Sequence, residues 1–181
     1  RKSQEFQSAI MRILAWVMIM NVIGFAGYAG LYTVDWQLFA ILLGGHLVWY
    51  LAILVDVLRR PALVPARTYL GVAADISGTT FSIFLSGNPI SPFYILYIWC
   101  FLSQGTRYGR NNLAAASVAS VPAYAMVVTV LDGWSTNPIE VGFLLAFLLV
   151  LPVYQYSLLE KLHVAKQAAE LAVLSQNRLR L

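Results

Sequence analysis

Asp75 and His46 are the two residues whose chemistry demands an explanation, because both fall inside long apolar blocks. Asp75 follows Arg67 by eight residues, about 12 Å along a helix rising 1.5 Å per residue. An ionisable group at that depth in a bilayer is costly unless it is paired or hydrated, so it is expected to face the interior of a bundle. His46 lies halfway along its own block and reaches a comparable depth from the opposite direction. The functional reading is an Asp75–His46 polar pair that responds to a ligand or a proton. The structural alternative is a buried hydrogen bond to Ser77, Thr79 or Ser120. Tyr94 and Tyr97 are expected to line an outer mouth, and Trp99 joins them as a candidate for ligand sensing. Asp56, three and four residues before Arg59 and Arg60, reads as a snorkelling ion pair at the cytoplasmic surface.

Catalytic chemistry finds little support. There is no H-E-x-x-H, no glycine-rich phosphate loop and no second intramembrane aspartate to pair with Asp75. Cys100 is the only cysteine, which excludes an intrachain disulfide or a thiolate metal site. His163 lacks the adjoining acidic residue of a phosphoacceptor box. No catalytic residue, metal or cofactor is therefore expected in the chain.

The elements that must position these residues follow from composition. Of the 181 residues, 60% are hydrophobic and 11% charged, with a mean hydropathy of +0.71. A soluble domain carries about a quarter charged residues, so this chain lacks the material for a water-facing surface. The net charge of +4 is distributed as in a membrane protein, and no nucleic-acid partner is expected. Six apolar blocks qualify as spans: Ile13–Tyr32, Trp36–Leu58, Tyr69–Leu85, Ile90–Ser103, Leu113–Leu131 and Val141–Leu158. Turn-forming runs separate them, among them Ser86-Gly87-Asn88-Pro89 and the stretch from Asp132 to Pro138.

Under this threading every basic residue falls on one side. Arg1, Lys2 and Arg12 precede the first span, Arg59, Arg60 and Arg67 follow the second, Arg107 and Arg110 follow the fourth, and Lys161, Lys166, Arg178 and Arg180 follow the sixth. The opposite connectors carry Asp35, Asp132 and Glu140 instead. The expectation is an all-α integral membrane protein, a six-helix transmembrane bundle with both termini in the cytoplasm. The chain opens on Arg1, which reads as a trimmed beginning. No cleavable leader is expected, because the first block is long and lacks a small-residue cleavage site. The outer connectors are short, so a stimulus is expected from the lipid or from a shallow outer mouth.

Small-residue stripes, Ala74/Gly78/Ser82/Ser86 and Ala115/Ala119/Ala123, are expected to let helices approach closely. Pro122 and Pro152 are expected to kink the fifth and sixth spans. Beyond residue 158 the chain turns polar, and Leu158, Leu162, Ala165, Ala169, Ala172, Gln176 and Leu179 follow an a/d spacing. Residues 159–181 therefore read as a coiled-coil-like signalling helix, continuous with the last span and able to pair with its copy, after a sensor domain of residues 1–158. An output domain is expected beyond Leu181.

One run carries a family resemblance: Asn88-Pro89-Ile90-Ser91-Pro92-Phe93-Tyr94, then Trp99, then Gly105-Thr106-Arg107-Tyr108-Gly109. It resembles the membrane input domain of RpfC-type sensor histidine kinases, receptors for diffusible signal factor. Leu58-Arg59-Arg60-Pro61, the region of Asp75, Val150–Tyr154 and Ser157-Leu158-Leu159 also fit. Related modules precede class III nucleotide cyclases and diguanylate cyclases. The resemblance implies a homodimeric sensor in a bacterial inner membrane, read out by a cytoplasmic kinase, with a medium-chain unsaturated fatty acid as a ligand. Arg107, Tyr108 and Arg110 carry a second expectation of their own, contact with lipid phosphates at the inner interface or coupling across the inner loop. Gly105 and Gly109 are expected to permit a tight turn into the fifth span.

Three functions follow as expectations. The first is a sensory module that detects a small amphiphile and relays it through a dimeric helix. The second is an anchor or receptor for a cyclase. The third is a small six-span transporter, which would need a continuous polar path and usually an internal repeat.

Overall fold

The computed structural model describes residues 4–60, 62 and 64–178. All regular structure among them is helical: α1 (Gln4–Tyr28), α2 (Trp36–Arg59), α3 (Pro65–Ser86), a 3-10 turn (Pro92–Tyr94), α4 (Ile95–Tyr108), α5 (Arg110–Val130), the short α6 (Gly133–Thr136) and α7 (Pro138–Arg178). The six apolar blocks correspond to α1–α5 and α7, with shifted ends. α1 starts at Gln4, well before Ile13, so Arg12 lies inside the helix and not ahead of it.

Local chemistry sets several boundaries. The Asp35 carboxylate accepts from the amides of Gln37 and Leu38 at 3.0 and 3.1 Å and starts α2. Pro65 occupies the first turn of α3, where its missing N–H costs nothing. Gly87 ends that helix with φ 65°, a left-handed conformation that suits glycine. Gly109, at φ 84°, turns the chain directly from α4 into α5. α5 and α7 run on across Pro122 and Pro152.

α3 is the hub. It packs against α1, α2, α4 and α5, while α5 and α4 pack against α7. The buried face of α1 repeats at helical spacing through Ala9, Trp16, Met20 and Ile23. The stripe Ala74, Gly78, Ser82 and Ser86 is buried, as close approach requires. The corresponding expectation for α5 is off by part of a turn. Its packed face is Asn112, Leu113, Ala116, Ser120, Tyr124, Val127 and Val128, while Ala119 is exposed. Burying Tyr124 and Leu113 removes more apolar surface than burying three methyl groups, and that difference sets the rotation.

Four helices, α1, α2, α5 and the Pro138–Ala169 part of α7, are long and apolar enough to cross a membrane. α4 has 14 residues, about 21 Å of helix, and α3 carries too many polar side chains. Phe25, Val118, Phe143 and Val153 are among many large apolar residues left exposed, as expected of helices that meet lipid.

Candidate functional site

Asp75 sits on the face of α3 between α1 and α4. Arg12 of α1 donates its Nε to both carboxylate oxygens at 3.0 Å, and the Nε2 of Gln104, on α4, donates to Oδ2 at 3.0 Å. Gln104 is almost wholly buried, and its own Oε1 finds no partner among the described residues. The expected Asp75–His46 pair does not form. His46 is buried and bonded through Nε2 to the Ser77 hydroxyl at 3.0 Å, stacked on Trp16 with centroids 4.6 Å apart. The reason is geometric: Asp75 and Ser77 are two residues apart, so they point to opposite sides of α3. Among the two readings, the local hydrogen bond to Ser77 is the one observed for His46.

Arg12 is the partner that sequence reasoning missed, since it had been placed on the cytoplasmic flank. Its phase was the available signal: it stands four residues before Trp16, on the buried face of α1. A second inward-facing cation, this one fully buried, was missed in the same way. Arg67 of α3 donates Nη1 to Asp56 at 3.0 Å and to the Arg60 carbonyl at 2.9 Å, and Nη2 to Glu5 and to the Ala62 carbonyl. It thereby ties the start of α1 and the end of α2 to the start of α3. Asp56 is therefore committed to Arg67, and its expected pairing with Arg59 and Arg60 is not found among the described residues.

Tyr94 and Tyr97 do not line a mouth. Both are buried and stand edge to face with Tyr124. Their hydroxyls are already engaged: Tyr94 donates to the Leu144 carbonyl at 2.6 Å, Tyr97 shares a 2.8 Å bond with Thr80 Oγ1, and Tyr124 donates to the Pro89 carbonyl at 2.9 Å. Three aromatic rings with satisfied hydroxyls make a packed lock joining α3, α4, α5 and α7.

Trp99 lies instead on the wall of a cleft. α1 and α4 both pack on α3 but share no substantial interface with each other. Between them is a cavity of about 100 Å³. Arg12 and Asp75 stand at it with Arg107, and Met11, Ile19, Leu96 and Trp99 supply apolar walls. Trp99 is 58% exposed and Met11 47% exposed, so the cleft faces outward between the two helices. Two guanidinium groups against one carboxylate leave it with a net positive charge.

The inner-loop residues divide. Arg107 lines this cleft, and Tyr108 lines a smaller one beside Glu5, Arg12 and Arg67. Arg110 turns the other way, to Glu160 of α7 at 3.8 Å and over the Tyr156 ring at 5.3 Å. Gly105 is helical and serves packing, not a turn. A Cβ there would stand 2.9 Å from Gln155 Nε2 and 3.2 Å from Leu159 Cδ1. Along the tail, α7 continues unbroken to Arg178, and Leu158, Leu162, Ala165 and Ala169 are exposed. Leu179 lies outside the described residues, as do the side chains of Ala172 and Gln176.

The chain is similar to the sensory/regulatory protein RpfC of Xanthomonas campestris pv. campestris. It is 26% identical to that protein over 178 residues in each of two strains. The alignment takes in 98% of this chain and 24% of the relative, so the chain spans about a quarter of the length of the curated relatives it matches. No protein-family model matches the chain. No solved structure matches it either. The resemblance to RpfC-type sensors read from the Asn88–Tyr94 and Gly105–Gly109 runs is borne out over nearly the whole chain.

Proposed function

We propose that this chain is the transmembrane input module of a bacterial sensor histidine kinase, detecting a small acidic amphiphile and relaying it through α7 to a cytoplasmic kinase. The cleft between α1 and α4 carries this reading. It opens sideways, its walls are apolar, and its charge is positive at Arg12 and Arg107. An acyl chain can lie along Trp99, Leu96 and Ile19 while its carboxylate meets Arg107 and Arg12. At about 100 Å³ the cavity holds the equivalent of roughly three waters, so most of the chain stays in the gap facing the bilayer.

The topology belongs to the same proposal. α1–α5 and α7 cross a bacterial inner membrane six times, with both ends in the cytoplasm. α3 and α4 are carried across by their neighbours, because the polar side chains of α3 are bonded inside the bundle. Two copies pair through the Leu158–Ala169 seam, and a ligand shifts that pair by binding one arrangement better than the other. The similarity to a sensory/regulatory protein supports the sensory part of the reading.

The test uses the full-length protein in proteoliposomes. Autophosphorylation is measured with a medium-chain unsaturated fatty acid and with the alcohol of the same chain. The expected result is a response to the acid and a much weaker one to the alcohol, since the alcohol offers Arg107 no charge. An equal response to both removes the headgroup assignment. No response to either sinks the sensory proposal. A cyclase domain following Leu181, in place of a Ser-His-Glu box and an ATP-binding domain, moves the output to a cyclic nucleotide.

A further inference from the structure

Asp75 is joined to more than the cleft. Through Gln104 it reaches the surface on which α7 rests. Phe101, Gln104 and Gly105 fall three and four residues apart, on one face of α4. Gln104 donates to Asp75, the Phe101 carbonyl accepts from Gln155 Nε2 at 3.2 Å, and Gly105 has no room for even a methyl group against Gln155 and Leu159. The same short face thus holds Asp75 on one side and α7 on the other.

Resting on the sensory reading above, we propose that Gln104 is the coupling residue, transmitting the state of the Arg12–Asp75 pair to α7 through the Gly105–Gln155 contact. Gln104 is suited to this because it makes one side-chain hydrogen bond. Its Oε1 is buried without a partner among the described residues, so the Nε2 bond to Asp75 is the polar contact that orients the amide. An acidic head drawn to Arg12 competes with Asp75 for the guanidinium, and once the carboxylate shifts, Gln104 loses its anchor. The Gly105 backbone meets the tips of the Gln155 and Leu159 side chains, so a turn of α4 at Gly105 displaces both. Packed interfaces of this kind shift between discrete arrangements and do not deform smoothly.

Coupling between sites is reciprocal, and the chain carries a native reporter at each end. Cys100 is buried and lines the cleft, so its alkylation by N-ethylmaleimide, followed by mass spectrometry, reports the cleft. Amide exchange over residues 155–165 reports α7. Both are read on the full-length protein in lipid nanodiscs with no ligand added.

Gln155→Leu is expected to speed Cys100 alkylation by about fivefold or more, and Gln104→Leu to speed exchange in α7 by a similar factor, the lower end of typical site-to-site coupling. The double variant should add nothing to either single one. Leu102→Ala, on the exposed face of α4, should change neither. Changes within about twofold, effects that multiply in the double variant, or an equal effect of Leu102→Ala each overturn the proposal. Should Gln104→Leu fail to fold, the Gln155→Leu arm decides alone, because Gln155 is only half-buried. Neither readout involves a ligand or a kinase, so failure here leaves the sensory reading standing, whereas a missing fatty-acid response removes the ligand from this route without touching the coupling between its two ends.

Discussion

The Arg12 guanidinium lies flat against the backbone of Gly71: a Cβ at position 71 would come within 2.7 Å of Cζ and Nη2. Gly71 is one turn before Asp75 on the same face of α3. The missing side chain makes the berth in which Arg12 reaches the carboxylate.

Gly71→Ala should therefore displace Arg12 and destabilise the bundle by about 1–3 kcal/mol, the usual range for overfilling a packed site. Thermal unfolding in detergent is the measurement. In an Arg12→Leu, Asp75→Leu background the same substitution should cost much less. An equal cost in both backgrounds would show that Gly71 serves general packing.

Arg12→Leu alone leaves a largely buried carboxylate without its counter-charge, a loss of up to about 3–5 kcal/mol. Adding Asp75→Leu should recover most of that loss, because two apolar groups replace the pair. Thermal unfolding of the two single variants and the double one completes the cycle. A double variant no more stable than the worse single variant would contradict the pairing.

Arg67→Lys keeps the charge and loses the planar fork that reaches Glu5, Asp56 and the carbonyls of Arg60 and Ala62. A loss of about 2 kcal/mol is expected, with faster amide exchange concentrated in the first two turns of α1. Unchanged exchange there would mean that Glu5 does not hold α1 in place.

Among the tyrosines, Tyr124→Phe should be worse than Tyr97→Phe. The first strands the Pro89 carbonyl, at about 1–3 kcal/mol for a buried group left unpaired. The second leaves the Thr80 hydroxyl still bonded to the Ile76 carbonyl at 2.8 Å. Unfolding temperatures that rank the other way would overturn this account of the lock.

The helical blocks were legible in the sequence because apolar length and turn-forming residues declare them. The interior of the bundle was legible only in part. Asp75 announced that it needed a partner, yet nothing in a run of apolar residues says which neighbour will face it. Arg12 and Arg67 were placed on the flanks because charged residues usually end spans, and their phase was the overlooked clue: each stands four residues before a buried position, Trp16 and Gly71. His46 and Asp75 failed as a pair because depth in the membrane is one coordinate and rotation about the helix axis is another. Sequence spacing fixed the first without fixing the second across helices. Gly105 was misjudged for a similar reason: a glycine at the end of a helix looks like a turn until the helix packed against it is known.

α7 runs for 41 residues without a break, about 60 Å against a hydrocarbon core near 30 Å. A helix of that length behaves as a shaft whose angular phase is shared by both ends. Removing one residue after Leu159 turns everything beyond it by about 100°, whereas removing seven returns the a/d seam to within about 20° of its register. The orientation of the downstream half relative to the bundle is therefore set by the number of residues that separate them.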